Sequence, residues 1–323
     1  MRLVFLGTPA FAVPTLDRLV EAGHQVLSVL TQPDRPRGRG RETSAPPVKQ
    51  AALRHGLTVY QPERVRRPEA VEYLRGLAPE AMVVVGYGQI IPQSAIDIAP
   101  LGILNVHASL LPKYRGAGPV QWAIANGETR TGVTIMRIDA GLDTGDILRQ
   151  AETAIGPEEN AIELGERLAA MGAGLLVETL GDLAAGRGEP GHIDPQKQDS
   201  AQATYAPLLK KEDGRIDWRQ PAAAIHNRVR GLQPWPGAYT GFRGQALHVW
   251  RSRVAASWAG GADSTAGNRA PGGLLSLKPP IVATGEGGLE LVEVQLEGRK
   301  RISAADFANG QRLKENEVLG VSA

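Results

Sequence analysis

The chain has 323 residues, with 36 Lys and Arg against 34 Asp and Glu, and it contains no cysteine. The length predicts two domains or one large one, because domains usually run to about 100–200 residues. The lack of cysteine excludes a disulfide-stapled secreted scaffold, a thiolate metal site and a cysteine nucleophile. The net charge of +2 is too small for a chain built mainly to coat nucleic acid.

We expect no membrane-spanning segment, because no run of about 18 apolar residues is present. The start of the chain, MRLVFLGTPAFAV, lacks a basic region followed by a long apolar one, and it is typical of a buried strand rather than a signal peptide. These features predict a cytoplasmic protein.

Strands and helices are predicted to alternate along the first 150 residues. Apolar runs predict strands at residues 2–6, 25–31, 57–60, 81–85 and 102–107. Helical spacing of apolar residues predicts helices at residues 11–22, 47–55 and 68–77. This alternation predicts an α/β fold with a Rossmann-like, doubly wound and mostly parallel sheet, covered by helices on both faces.

Further along the chain the composition changes. Two more strands are predicted at residues 131–136 and 147–151, followed by a long amphipathic helix at 160–183. Residues 189–206 are polar and lack periodicity, which is typical of a linker. Short strand-like segments separated by Gly and Pro follow at residues 239–242, 246–251, 273–277, 281–284 and 288–294, with a closing helix at 302–309.

This second pattern predicts a smaller C-terminal β-barrel domain of the OB type. Residues 256–270 are rich in Gly, Ala and Ser and are predicted to form a flexible loop. The predicted boundaries are residues 1–188 for the first domain, 189–206 for the linker and 207–323 for the barrel.

Several familiar kinds of site are excluded. The first βα turn, residues 7–11, lacks the G-x-G-x-x-G pattern of dinucleotide-binding folds, and no phosphate-binding G-x-x-x-x-G-K-[ST] loop occurs. The six histidines are scattered, which predicts no metal site. An Asp-Thr-Gly tripeptide at residues 143–145 resembles an aspartic-protease motif, but it occurs once and those enzymes need two such carboxylates.

Polar side chains gather around the end of the strand at residues 102–107. Asn105 and His107 are two residues apart, so both side chains point to one face of an extended strand. The loop at residues 139–146 adds carboxylates. An amide can donate to an oxyanion, an imidazole can move a proton, and a carboxylate can orient the imidazole. This combination suits acyl transfer between amines, although a strand-end histidine and a turn aspartate without catalytic roles give the same spacing.

Motifs along nearly the whole chain resemble the methionyl-tRNA formyltransferase family, within the enzymes that use 10-formyltetrahydrofolate. They lie at residues 5–9, 31–36, 38–40, 83–88, 105–112, 115–116, 132–136, 141–146, 216–218 and 234–237. The resemblance implies transfer of a formyl group from 10-formyltetrahydrofolate to the α-amine of methionyl initiator tRNA, in the service of translation initiation. It implies no metal and no nicotinamide.

The resemblance also implies roles for individual residues. Asn105, His107 and Asp143 would be the catalytic residues. The tetrahydrofolate would contact Ser109, Leu110, Leu111 and Pro112, and its pterin pocket would be lined from residues 87–92 and 139–142 by Tyr87, Gly88, Ile90, Asp139 and Leu142. Relatives often carry an acidic residue where this chain has Ala10, a departure that affects none of these roles.

Basic residues indicate where RNA would bind. The segment at residues 34–43 is rich in Gly and carries four arginines, Arg35, Arg37, Arg39 and Arg41. Such a loop could contact phosphates of an acceptor stem, although an ordinary solvated loop has the same composition. The resemblance implies that this loop reads the acceptor stem, with Arg39 as the strongest candidate.

The second half of the chain is also the more basic part. Residues 190–323 hold 17 Lys and Arg against 13 Asp and Glu, whereas residues 1–189 hold 19 against 21. Lys210 and Lys211 are predicted tRNA contacts. Further candidates are Arg215, Arg228, Arg230, Arg243, Arg251, Arg299, Lys300 and Arg301. Trp235 lies between two prolines and is predicted to serve domain packing.

Two alternatives remain open from the residues alone. One is a formyltransferase acting on a small amine, such as a nucleotide sugar or glycinamide ribotide, and the other is a non-catalytic tRNA-binding α/β protein. Loss of activity with rising salt would indicate nucleic acid, and formation of a formyl product would indicate an enzyme. The resemblance further implies a monomer.

Overall fold

The structure is a computed structural model that describes residues 1–37, 42–185, 193–255 and 270–320. The predicted tRNA contacts Arg39 and Arg41, residues 189–192 of the predicted linker and most of the predicted loop at 256–270 lie outside the described residues. The chain divides into two compact units. Unit one comprises Met1–Gly116, Arg130–Ala154 and Gly165–Ala206, and unit two comprises Ala117–Thr129, Ile155–Leu164 and Pro207–Ala323.

Unit one is built on a seven-stranded sheet. The described strands of this unit are β1 (Arg2–Gly7), β2 (Gln25–Leu30), β3 (Arg35–Arg37), β4 (Glu42–Ser44), β5 (Val59–Tyr60), β6 (Ala81–Val85), β7 (Ile103–His107), β8 (Arg115–Gly116), β9 (Arg130–Arg137), β10 (Ile147–Ala154) and β11 (Tyr205–Ala206). Of these, β3 pairs with β4 and β8 pairs with β11 outside the seven-stranded sheet. The sheet has the order β10-β9-β7-β6-β1-β2-β5. Every pairing within this sheet is parallel except those of β9, which runs antiparallel to β7 and β10. The predicted Rossmann-like, mostly parallel sheet is confirmed.

Helices cover this sheet. In chain order the first six helices are α1 (Val13–Glu21), α2 (Pro47–Arg54), α3 (Pro68–Leu77), α4 (Gln93–Ile96), α5 (Pro119–Ala125) and α6 (Ala161–Ala185), of which α5 belongs to unit two. All residues of β6 and β7 are buried, as expected for central strands of a sheet covered on both faces. The catalytic candidates on β7 therefore rest on the best-packed part of the unit.

The longest helix, α6, packs against the strand that carries those candidates. A Cβ atom added at Gly172 would lie 2.6 Å from Cγ1 of Val106 and 3.1 Å from Cγ1 of Val133. Leu168 and Leu176 on the same helix are fully buried. By length and composition α6 could also cross a membrane, with a mean hydropathy of 1.4 over its most apolar window. In this structure 39% of that window is buried.

The order of the strands creates a cleft. From β1 the chain adds β2 and β5 on one side, and then returns to place β6 and β7 on the other. The loops after β1 and β6 therefore diverge, the arrangement at which open α/β sheets bind ligands. A cleft of about 520 Å³ lies here, lined by Thr8, Pro9, Gln32, Pro33, Arg35, Ser44, Ala45, Pro46, Pro47, Gly86, Tyr87 and Gly88.

Unit two contains an antiparallel sheet. Its strands are β12 (Ala238–Phe242), β13 (Gln245–Val254), β14 (Leu274–Leu277), β15 (Pro280–Ala283), β16 (Gly288–Leu296) and β17 (Ile302–Ser303), and its later helices are α7 (Ala222–Gly231) and α8 (Ala304–Gln311). The order is β12-β13-β16-β15-β14, with β17 pairing β16. The predicted C-terminal β-domain is confirmed. The described strands show no pairing between β12 and β14, which fits the partly open barrel of the OB type.

Two helices of unit two are absent from the predictions, namely α5 and α7, and the closing helix begins later than predicted. Residues 302 and 303 form β17, and α8 starts after them because the Oγ atom of Ser303 accepts a hydrogen bond from the Asp306 N–H at 3.0 Å. This side chain caps the helix and so fixes its first turn.

Candidate active site

The strand β7 presents Asn105 and His107 on one face. It lies between β6 and β9, where Asn105 pairs with Val84 and His107 pairs with Thr134. Only 9% of Asn105 and 5% of His107 is exposed. The side-chain amide of Asn105 makes no hydrogen bond to the part of the chain that the structure describes. Its N–H donors are therefore unengaged within the described residues.

The ring of His107 is held at Nε2 and faces a carboxylate with Nδ1. Its Nε2 atom lies 2.9 Å from the carbonyl oxygen of Tyr114. Because a carbonyl only accepts, Nε2 carries the hydrogen and donates it. The Nδ1 atom faces Oδ2 of Asp143 at 3.7 Å, which is longer than a hydrogen bond. Nδ1 is therefore the ring nitrogen without a hydrogen bond, and it faces the carboxylate.

The carboxylate of Asp143 is fixed by the backbone opposite it. Asp143 has a φ of +50°, and its Oδ2 atom accepts a hydrogen bond from the Gly116 N–H at 2.8 Å. Its loop is folded back tightly, because a Cβ atom added at Gly145 would lie 1.9 Å from the Arg137 carbonyl oxygen. The structure therefore brings Asp143 and His107 together, and Asn105 lies on the same strand as His107.

Asp139, predicted to line the pterin pocket, shapes the same loop through its side chain. Its Oδ1 atom accepts hydrogen bonds from the Gly141 N–H at 3.0 Å and from the Thr144 hydroxyl at 2.7 Å. This pattern is a local turn in which a carboxylate caps the backbone. A loop that begins this way leaves the next apolar side chain, Leu142, 60% exposed.

The predicted folate contacts after β7 differ in the exposure of their side chains. Ser109 and Leu111 are buried, and the Ser109 hydroxyl donates to the Lys113 carbonyl oxygen at 2.6 Å. The backbone of Leu111 is bound at both ends, by Oγ1 of Thr134 at 3.1 Å and by Nε2 of Gln150 at 2.9 Å. These two side chains therefore shape the turn.

Leu110 and Pro112, the other two of these residues, are half-buried. Leu110 lies against β9, where a Cβ atom at Gly132 would come within 2.5 Å of its Cδ2 atom. The partly open side chains of this segment are therefore those of Leu110 and Pro112.

The segment after β6 is arranged in a similar way. The side chain of Tyr87 is buried in the core of unit one, and this burial, assisted by Tyr60, raises its pKa to about 12. Its carbonyl oxygen accepts from Oγ1 of Thr8 at 3.0 Å and from Nε2 of Gln32 at 3.1 Å. The side chain of Tyr87 is therefore part of the core, and Tyr87 and Gly88 also line the cleft beside β1.

Ile90 is the exposed member of this segment. It is 90% exposed, the largest value among the exposed large apolar side chains of the described residues. Together with Leu142 it leaves an apolar side chain open on each of two loops of unit one. The cleft of about 520 Å³ is lined by neither of them, nor by Asn105, His107 or Asp143.

The structure also identifies site residues that the sequence does not indicate. Tyr114 is the first case, because it acts through its backbone atoms, which carry no compositional signal, whereas Gly116 lies within a motif of the sequence and acts through its N–H. The predicted linker also holds contacts that the sequence does not indicate, because its described residues belong to unit one. Residues 205–206 form β11, which pairs with β8, and Gln196 exchanges two backbone hydrogen bonds of 2.8 Å with Ile147. No sequence signal marks this contact, since polar residues without periodicity predict a loop.

The predicted tRNA contacts occupy different surroundings. Arg35 is exposed and lines the cleft, and Arg37 ends the strand β3. Lys210 and Lys211 are exposed in unit two, as are Arg215, Arg251, Arg299, Lys300 and Arg301. Trp235, predicted to serve domain packing, is 54% exposed.

Four of the further basic candidates have side-chain partners within unit two, among them Arg301, which pairs with Glu293 at 3.4 Å. Arg230 is 8% exposed and donates to the carbonyl oxygens of Gly156 and Glu159 at 2.9 Å each. The prediction that Arg230 belongs to a phosphate-binding surface is wrong, because its guanidinium is buried and already bound. Arg243 pairs with Glu317, and Arg228 donates to the backbone of Asp213.

Two protein families match the chain in sequence. The formyl transferase family matches residues 1–180, and the formyl transferase C-terminal domain family matches residues 208–312. A methionyl-tRNA formyltransferase of Solibacter usitatus is 71% identical over 320 residues, which is 99% of each chain. A methionyl-tRNA formyltransferase of Acidobacterium capsulatum is 52% identical over 99% of this chain and all of the relative.

Solved structures resemble the chain in fold. WlaRD, a sugar 3N-formyl transferase crystallised with dTDP and 5-N-formyl-THF, has a TM-score of 0.65 at 17% identity and covers 93% of this chain and 99% of its own. HypX from Aquifex aeolicus in complex with tetrahydrofolic acid has a TM-score of 0.63 at 17% identity and covers 95% of this chain and 47% of its own. The full-length identity to the sequence relatives and the two family matches show that the chain belongs to the methionyl-tRNA formyltransferase family.

Proposed function

We propose that this protein transfers the formyl group of 10-formyltetrahydrofolate to the α-amine of methionyl initiator tRNA, giving N-formylmethionyl-tRNA for translation initiation. The observation that carries the proposal is the geometry on β7. The unengaged amide of Asn105 lies two residues from an imidazole whose Nδ1 atom faces the Asp143 carboxylate at 3.7 Å. Full-length identity to methionyl-tRNA formyltransferases supports the choice of substrates.

The residues around this geometry fit a folate. A pterin ring needs apolar contact on its faces, and Ile90 and Leu142 are the exposed apolar side chains on the two predicted pocket segments. Backbone groups of residues 87–92 and 139–142 would supply the polar contacts, and residues 109–112 would contact the rest of the folate. When bound, 10-formyltetrahydrofolate supplies an electrophilic formyl carbon on its N10 atom.

Asn105 would stabilise the charge that develops during attack. As the amine nitrogen bonds to the formyl carbon, negative charge builds up on the formyl oxygen. The Asn105 amide can donate to that oxygen, because no other group in the described chain uses its N–H donors. A donor in a buried position is effective because water does not compete for it.

His107 and Asp143 would handle the proton. The attacking amine must lose one proton, and N10 of the leaving tetrahydrofolate must gain one. Nδ1 of His107 can accept the first and return the second, because Nε2 is committed to the Tyr114 carbonyl and keeps the ring from turning. Asp143 stabilises the imidazolium between these steps, and no covalent enzyme intermediate is needed.

The basic residues would hold the tRNA. The acceptor end of the tRNA would be contacted by Arg35, Arg37, Arg39 and Arg41. In unit two, Lys210 and Lys211 would contact the phosphate backbone of the tRNA. We retain residues 1–188 as the catalytic domain, 189–206 as the segment joining it to the next and 207–323 as the tRNA-binding domain. The protein would act as a monomer in the cytoplasm.

The test incubates the protein with 10-formyltetrahydrofolate and methionyl initiator tRNA, and measures formylmethionine after deacylation. We expect formylmethionine at a rate proportional to protein. His107→Ala and Asp143→Ala should each lower turnover by about 10²-fold or more, with unchanged folding by circular dichroism. A formyl product on a nucleotide sugar or glycinamide ribotide, with none on the tRNA, would contradict the proposal.

A further inference from the structure

The segment at residues 196–206, here called the strap, pairs with residues beside the two loops that surround His107. At one end Gln196 pairs with Ile147, just after the loop that carries Asp143. At the other end β11 pairs with β8, which contains the Gly116 N–H that binds Asp143. The strap therefore contacts both of the loops that surround the His107 ring.

Gln198 lies near the start of the strap and uses its whole amide group. Its Nε2 atom donates to the carbonyl oxygens of Asp143 and Gly145, each at 2.8 Å. Its Oε1 atom accepts from Nε and Nη2 of Arg115, at 3.1 and 2.7 Å. Arg115 is 3% exposed and Gln198 is half-buried, so these bonds are partly shielded from solvent. One side chain thus joins the Asp143 loop to the loop that follows β7.

Thr204 makes the corresponding contact on the other side of His107. Its Oγ1 atom accepts from the Tyr114 N–H at 2.9 Å, and its carbonyl oxygen accepts from the Arg115 N–H at 2.8 Å. Tyr114 is the residue whose carbonyl holds Nε2 of His107. The strap therefore binds the backbone of both residues that contact the imidazole.

Both of those residues have unfavourable backbone conformations. Asp143 has a φ of +50° and Tyr114 a φ of +62°, values that residues other than glycine rarely adopt. Such conformations persist only where surrounding contacts enforce them. At Asp143 the Gln198 amide supplies such a contact, and at Tyr114 the Thr204 hydroxyl supplies it.

We propose that Gln198 and Thr204 are positioning residues for formyl transfer, which act by holding Asp143 and Tyr114 against the two nitrogens of His107. The inference rests on the proposed function of that site. Gln198 acts on the carboxylate side of the ring and Thr204 on the carbonyl side. Neither has a reacting atom, so their substitution should slow the chemical step without weakening the binding of either substrate.

The first test is Gln198→Leu, which keeps the size of the side chain and removes all four hydrogen bonds. We expect kcat to fall about 10- to 100-fold, because small displacements of catalytic groups have effects of this order. The KM values for methionyl-tRNA and 10-formyltetrahydrofolate should stay within about twofold of wild type. Gln198→Glu keeps an acceptor for Arg115 and loses the donor to Asp143 and Gly145, so it should be as slow as Gln198→Leu.

Gln202→Leu is the matched control. Gln202 lies on the same strap, is exposed and binds Asp199 through its side chain. Its substitution changes the strap to a similar extent without touching the catalytic loops. We expect wild-type kcat and KM values for this variant.

A double-mutant cycle tests whether Gln198 acts through Asp143. In an Asp143→Asn background, measured in single turnovers with excess enzyme, Gln198→Leu should lower the rate less than about twofold further. If the two losses multiply instead, Gln198 does not act through the carboxylate and the inference is overturned. A near-wild-type kcat for Gln198→Leu in the otherwise unchanged enzyme would overturn it as well.

Thr204 provides a second measurement should Gln198→Leu prove too unstable to assay. Thr204→Val removes the acceptor and keeps the shape, so kcat should fall, whereas Thr204→Ser restores the hydroxyl and should recover most of the activity. Equal rates for the Val and Ser variants would overturn the inference. Wild-type enzyme in the same assay separates the outcomes, because its inactivity would contradict the proposed function rather than the role of the strap.

Discussion

Asn105 and His107 are neighbours on one strand, but their proposed tasks differ: Asn105 stabilises the oxyanion and His107 transfers protons. Substitution at Asn105 isolates the stabilisation of the oxyanion. Asn105→Asp keeps the shape of the side chain, removes its N–H donors and places a negative charge beside the developing oxyanion. We expect kcat to fall about 10²- to 10³-fold, the effect of removing one oxyanion donor, with little change in the KM for folate. Steady-state kinetics check this. Equal losses in kcat and folate affinity would instead make Asn105 a ground-state binding residue.

A second residue-scale feature lies in unit two, where His226 is buried. Its Nδ1 atom is 3.1 Å from the Ser252 hydroxyl, and its Nε2 atom is 3.4 Å from the Pro157 carbonyl oxygen. Burial lowers the pKa of His226 from its usual value, and Arg230 adds to this, while the Glu158 carboxylate at 3.8 Å opposes it. The folded protein therefore favours a neutral ring at this position.

This lowered pKa predicts how the stability of the protein depends on pH. The unfolded chain binds a proton at His226 below about pH 6.5, where the folded chain does not yet do so. Stability is therefore complete above that pH and declines as the pH falls below it. We expect the melting temperature of wild type to drop from pH 7.5 to 5.5, and that of His226→Gln to drop less. Identical drops in both proteins would show that His226 does not contribute.

At the scale of elements, the contact between α6 and β7 determines how firmly the strand with Asn105 and His107 is held. Gly172 allows the helix to approach, because a Cβ atom there would meet Val106 at 2.6 Å. Gly174, two residues further along the same helix, has nothing within 4 Å of an added Cβ atom. The two glycines form a matched pair in one helix.

Alanine at these two positions should have opposite effects. Gly172→Ala forces the helix away from the sheet, which we expect to cost about 1–3 kcal/mol in the free energy of unfolding. Gly174→Ala should stabilise by up to about 1 kcal/mol, since alanine favours helix over glycine. Urea denaturation measures both. Gly172→Ala should also lower kcat, because Val106 lies between the two site residues, and a fully active Gly172→Ala would contradict this link between helix and site.

Buried strands could be predicted from the sequence, whereas two of the short helices could not. The strands β1, β2, β6 and β7 were predictable because a strand buried on both faces is a continuous apolar run bounded by turn residues. The helix α5 (PVQWAIA) was not, because seven mostly apolar residues have no visible period. The helix α7 carries two arginines and an asparagine among its apolar residues, and Arg230 turns inward to bind carbonyl oxygens, so its pattern does not show a helical face.

The site was predictable to a similar extent. Asn105 and His107 could be placed together because strand geometry puts alternate residues on one face. The approach of Asp143 depends on a loop that folds back through a positive φ, which residue spacing does not reveal, so its role came from family resemblance. Tyr114 contacts the ring through a backbone atom, which leaves no signal in a single sequence. Gln198 and Thr204 lie in a polar segment without periodicity, which predicts only a loop.

At the scale of the whole molecule, the nearly balanced charge hides an uneven distribution. Residues 190–323 carry an excess of four positive charges, whereas residues 1–189 carry an excess of two negative ones. Arg230 is removed from the basic surface by burial, and Arg243 is paired with Glu317. Lys210 and Lys211 remain exposed, which concentrates the expected phosphate contacts on fewer residues than the charge count implies.

Charge removal at these two lysines should affect tRNA alone. We expect Lys210→Gln and Lys211→Gln each to raise the KM for methionyl-tRNA several-fold without changing the KM for 10-formyltetrahydrofolate, since phosphate contacts contribute to RNA binding only. The slope of log(kcat/KM) against log[salt] should become shallower by about 0.7–0.9 for each phosphate that no longer has a lysine partner. Lys278→Gln, an exposed lysine between β14 and β15, removes one charge from the same unit and serves as control. If all three variants change the salt slope equally, the effect comes from net charge, and a specific contact at Lys210 and Lys211 is excluded.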